Sequence, residues 1–141
     1  MRKLLVLLPL LLSWLAFGAM AQAPSVKDEI STAHKHALLA QGSTSLDMVQ
    51  MHLHHVVNCL VGSSGAGFDA AAGNPCKGQG NGAIEDSASD PALQGKLKAA
   101  LAAAQSGLQS ASLGGAQQEA AKAAAALEAT PAQKAAGGYK W

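Results

Sequence analysis

The sequence predicts an all-α protein: a small helical bundle of four helices arranged as two hairpins, with a long glycine-rich, disulfide-stapled loop after the second helix. Three observations carry this expectation. Apolar residues recur at helical spacing in successive segments of the chain, and three of these segments open on residues that cap helices. Between the two predicted hairpins the breakers accumulate, with seven glycines from Gly62 to Gly82. At 141 residues, 49% hydrophobic and 13% charged, the chain is bounded to one small domain without room for a large enzyme core.

The first predicted helix runs from about Val26 to Gln41. Ser25 with Asp28 forms a start signal close to a capping box, in which a short polar side chain takes up free backbone N–H groups. At 100° per residue Val26, Ile30, Ala33, Ala37, Leu38 and Gln41 share a face, with His34 near its middle. Gly42 ends this helix, and residues 43–47 offer a second start. Leu46, Val49, Leu53, Val56, Val57 and Leu60 then line one side of a run that ends at Val61. A turn this short makes the two helices an antiparallel hairpin.

Residues 62–89 are read as the loop between the hairpins. Its length points to an ordered Ω-type loop, with Phe68 and Cys76 as the residues that tie it down. Asp90-Pro91 places a capping side chain before a proline at the first helical position, and Leu93, Leu97, Leu101 and Leu108 follow at helical spacing. The fourth helix is expected after Gly114-Gly115, from Ala116 to Ala129, on the strength of its alanines and a Glu119–Lys122 pair. The helical domain is therefore bounded at 22–136, and residues 137–141 read as a frayed tail.

Residues 1–21 have the pattern of a secretory signal peptide. Arg2 and Lys3 precede an apolar run from Leu4 to Leu12, and Ala19-Met20-Ala21 supplies the small-residue ending, with cleavage expected after Ala21. Pro9 and that ending weigh against a retained membrane anchor, and no cysteine follows the run to carry a lipid. The expected location is periplasmic or secreted, with no membrane contact after cleavage. Beyond residue 21 there is no arginine, and the lysines form no stripe, so neither a bidentate grip on phosphate nor a nucleic-acid surface is expected.

Cys59 and Cys76 are the only cysteines, and in an oxidising compartment an even pair reads as a disulfide. The competing reading makes them thiolate metal ligands. Neither C-x-x-C nor C-x-x-C-H spacing is present, which speaks against a redox dithiol and against covalent haem attachment.

All five histidines, His34, His36, His52, His54 and His55, fall in the first hairpin. Met48, His52, His55 and Cys59 follow one another at four, three and four residues, which makes a stripe along the second helix, with Met51 one turn before His55. Across the hairpin, His34 is the residue expected to approach this stripe, while His36 and His54 are expected to face solvent. Imidazole with thioether suits copper, particularly Cu(I). Zinc at His34, His52 and His55 lacks an evident fourth ligand, and a core so poor in aromatics fits haem badly. Ordinary packing of these side chains is the reading without a metal.

Neither a G-x-S-x-G nucleophile, an EF-hand spacing nor a phosphate-binding loop is present. The expectation is therefore a non-catalytic copper-binding or copper-handling protein that uses His52, His55 and Met48, with His34 and Met51, and that meets a metal-delivery or envelope partner. The alternative, from another class, is an interaction or structural module in which the hairpin and stapled loop form the contact surface.

Overall fold

A computed structural model describes residues 24–128. The expected signal segment 1–21 and the tail 137–141 lie outside these residues. The described chain is all-helical: α1 spans Val26–Gly42, α2 Leu46–Val61, α3 Ala83–Asp86, α4 Pro91–Leu108 and α5 Leu113–Glu128.

The helix starts follow the capping residues. Ser25 Oγ accepts from Asp28 N–H, Ser45 Oγ from Met48 N–H, and Asp90 Oδ1 from Leu93 N–H, with Pro91 in the first turn. Two departures from expectation have local causes. Ser112 Oγ accepts from the Gly115 N–H, so α5 starts at Leu113 and takes Gly114 and Gly115 into its first turn instead of beginning after them. The segment 62–89 contains one helical turn, α3, which makes five helices of the expected four.

The four long helices pack as an antiparallel bundle. α1 lies against α2 and α5, and α4 lies against the same two helices from the other side; α3 touches α1, α2 and α4. Short links at 43–45 and 109–112 enforce the antiparallel sense within each hairpin. Ile30, Leu53, Leu60, Leu97 and Leu127 are the large side chains of the core, and alanines fill most of the rest. The small side chains bring the axes close. A Cβ at Gly107 on α4 would collide with Leu53 Cδ1 on α2.

The long loop is closed at its neck by two glycines. Gly62 (φ +70°) and Gly82 (φ +117°) hold the backbones of Val61 and Asn81 in direct contact, where any Cβ would overlap main-chain atoms. Further along, the Cys59–Cys76 disulfide ties the loop to the last turn of α2, with the two Cα atoms 5.2 Å apart. The expected Ω-type closure and staple are both present. Among the described residues no helix is long and apolar enough to cross a membrane.

Candidate metal centre

Because α1 packs on two neighbours, its apolar face points between them and its flanks reach one helix each. His34 and His36 are two residues apart, hence about 160° apart around the helix, and stand on opposite flanks. The expectation centred that face on α2 alone and so brought His34 to the stripe; the structure brings His36 instead. His34 is half-buried within the field of Glu128 on α5, and burial lowers its pKa against the opposing pull of that carboxylate.

On α2, His52 and His55 are neighbours one turn apart, as the spacing predicted. Their Nδ1 atoms meet that of His36: His36 Nδ1 is 3.2 Å from His52 Nδ1 and 3.3 Å from His55 Nδ1. One ligand atom from each of the three residues lies within 4.8 Å of the others, so the cluster could hold a metal ion. All three side chains are half-buried, and the His36 and His55 rings meet edge to face with centroids 4.6 Å apart.

The second nitrogen of His55 is engaged. His55 Nε2 lies 2.7 Å from the carbonyl oxygen of Ala72 in the long loop. A carbonyl only accepts, so Nε2 carries the hydrogen and Nδ1 of the neutral ring presents a bare lone pair. Proton counting then becomes decisive. His36 Nδ1 can bear one hydrogen, and one hydrogen cannot lie on the line to both neighbours. If it is absent, the 3.3 Å contact to His55 sets lone pair against lone pair. No neutral assignment of the three rings gives both contacts a linear hydrogen bond.

A cation removes this conflict. With metal–nitrogen bonds of about 2.0–2.1 Å and tetrahedral angles, ligand nitrogens stand about 3.3–3.4 Å apart, close to the two separations seen here. The electrostatics also suit a metal. Burial, then the neighbouring His55, His52 and Lys35, pushes the His36 pKa down to about 4, and burial followed by His55 lowers that of His52. Both rings are thus held neutral, the form that donates to a metal.

The other expected site residues are placed differently. Met48 and Met51 are exposed at 45% and 36%, one turn before His52 and His55 respectively. His54, expected to face solvent, makes a surface pair with Asp69, Nδ1 to Oδ2 3.2 Å. Cys59 and Cys76 are spent in the disulfide, which removes them as thiolate ligands. Sequence reasoning missed His36 as a member of the cluster, although its place opposite the His52–His55 turn in an antiparallel hairpin was the available signal.

A second polar centre lies on the other side of the loop. Glu29 on α1 is 1% exposed, and its Oε1 accepts from the Gly82 N–H at 2.8 Å. Burial first, then the Asp86 carboxylate on α3, pushes its pKa up to about 7, with Gly82 pulling the other way. No protein family, curated protein or solved structure matches this chain.

Proposed function

We propose that this is a non-catalytic metal-binding protein that holds one transition-metal ion through Nδ1 of His36, His52 and His55. The observation that supports the reading is the meeting of three imidazole nitrogens at 3.2 and 3.3 Å with too few protons to satisfy them. Three nitrogen ligands leave the fourth position of a tetrahedral site open. Copper is the favoured ion, because Met48 and Met51 stand one turn from the α2 ligands and offer thioether sulfur to that position. Zinc is the second reading, favoured by the separations of His36 Nδ1 from His52 Nδ1 and His55 Nδ1, both close to the tetrahedral value. The disulfide fits an oxidising, periplasmic or secreted location, in agreement with the export pattern of residues 1–21.

A metal-delivery or envelope partner would find its contact at the same end of the hairpin. Leu39, 43% exposed, stands on α1 at the level of Met48 and Met51 in the antiparallel register. These are the exposed large apolar residues of the described chain, and each stands one helical turn from a histidine of the cluster.

Native mass spectrometry of metal-stripped protein, supplied in turn with Cu(I), Cu(II) and Zn(II), tests the assignment. One ion per chain is expected, lost in His36→Ala and retained in His34→Ala. No uptake by the wild type, or equal loss in the two variants, overturns the site. Replacing Met48 and Met51 by leucine should weaken Cu(I) and spare zinc if sulfur fills the fourth position.

A further inference from the structure

The His55 ligand is oriented by a carbonyl, and the carbonyl is held by a buried side chain that the metal reading does not use. Asn58 lies on α2 one turn beyond His55 and is 0% exposed. Its Nδ2 donates to the carbonyls of Asp69 (2.7 Å) and Gly73 (2.6 Å), and its Oδ1 accepts from the Asp69 N–H (2.8 Å). Three hydrogen bonds from one amide thus clamp both ends of the segment 69–73. Ala72, whose oxygen takes the His55 Nε2 hydrogen, lies inside the clamped segment. Gly73 completes the geometry. Its φ of +86° sets the plane of the peptide that carries the Ala72 oxygen, in a region that side-chain-bearing residues rarely adopt.

We infer that Asn58 is a positioning residue for the metal centre: by clamping 69–73 it aims the Ala72 carbonyl at His55 Nε2, which fixes the tautomer that leaves His55 Nδ1 free to bind. This rests on the proposed metal-binding role for its consequence in affinity, while the tautomer itself is a property of the metal-free protein. Outer partners of this kind keep a ligand ring in one orientation and one protonation pattern, and losing them typically costs 10–100-fold in metal affinity. Asn58 acts through the loop and touches no metal ligand atom.

The test uses the full protein in two states. In metal-free protein, long-range proton–nitrogen correlation of the imidazoles reads which nitrogen of His55 carries the hydrogen. The wild type should show it on Nε2. Asn58→Ala should let both tautomers appear and lower metal affinity by roughly 10–100-fold. Because Asn58 is buried, Gly73→Val provides a variant that leaves the core alone: there is open space for its Cβ, but its positive φ is strained, so the Ala72 peptide must turn. Gly78→Val is the control, with φ +82° and equal open space in the same loop but no bond to His55 or Asn58. Gly73→Val should reproduce the tautomer and affinity changes, and Gly78→Val should not. A hydrogen on Nδ1 of wild-type His55, or equal affinities and tautomers in the two valine variants, would overturn the inference. If the wild type takes up no metal, the metal-binding reading fails separately and the tautomer comparison still decides the clamp.

Discussion

Glu29→Gln is the substitution whose effect should change most with pH. Glu29 is buried on α1 with Oε2 lacking any hydrogen-bond partner and with the Asp86 carboxylate close by, so close that a Cβ at Gly80 would strike both carboxylates. Its pKa rises from 4.5 to about 7. A raised acid binds its proton more tightly in the folded state than in the unfolded one. Its contribution is therefore fully present below pH 4.5 and is lost as pH rises through 7. At 1.36 kcal/mol per unit, the loss amounts to about 3 kcal/mol. Glutamine keeps an oxygen for the Gly82 N–H, offers an amide hydrogen toward Asp86 and has nothing to ionise. Relative to wild type, the variant should be near neutral at pH 4.5 and more stable by about 3 kcal/mol at pH 8, roughly 10 °C or more in Tm for a domain of this size. His36 works in the opposite direction: its pKa is lowered to about 4, so stability is lost as pH falls from 6.5 toward 4. Both proteins carry that slope, and subtraction removes it. Urea denaturation of metal-free protein and variant at pH 4.5, 6 and 8 gives the difference directly. A difference that does not change with pH, or a variant less stable than wild type at pH 8, would refute the reasoning.

Reduction of Cys59–Cys76, which closes a loop of sequence separation 17, should cost about 3 kcal/mol in the chain-entropy account; an unmoved urea midpoint in the presence of reductant would contradict it. Gly95→Ala, within α4 and with open space for the new Cβ, should stabilise by about 0.5–1 kcal/mol. Gly62→Ala should prevent the loop neck from closing, and a calorimetric melt matching wild type would show that the backbone contact with Asn81 is dispensable. Saturating metal should slow hydrogen exchange at the Asp69 amide, which bonds to Asn58, because binding and loop order share His55 and linkage is reciprocal; unchanged exchange there on metal addition would separate the two.

The helices were legible because their signals are local. Ser25, Ser45 and Asp90-Pro91 cap where short polar side chains and proline are expected, and the apolar side of α2 is buried or half-buried residue for residue. The site was only half legible, for a reason of packing. Periodicity gives the direction of an apolar face but not how many helices share it, and α5 takes half of the face of α1. That division exchanged His34 for His36. Glu29 was illegible on other grounds: it occupies a first-turn position where an acid is favourable to the helix, and only the return of the loop at Gly82 buries it.

Turns within the loop pair some of its backbone groups, as from Phe68 N–H to the Gly65 carbonyl and from Gln79 N–H to the Cys76 carbonyl, and others find partners outside it. Two helices supply them from opposite sides. On the α1 side, Glu29 takes the Gly82 N–H, the Ser25 N–H donates to the Gln79 carbonyl at 2.7 Å, and Thr32 Oγ1 donates to Gln79 Oε1 at 3.1 Å. On the α2 side, Asn58 and His55 hold 69–73. The two sets use different chemistry. The α2 side holds the loop through an amide and an imidazole, whereas the α1 side depends on a buried carboxyl whose pKa is raised to about 7. Loss of the Glu29 proton tightens its hydrogen bond from Gly82 but leaves a buried charge facing Asp86, so the cost of that titration falls on the α1 side of the loop, away from the His55 contact with Ala72 beside the candidate metal centre.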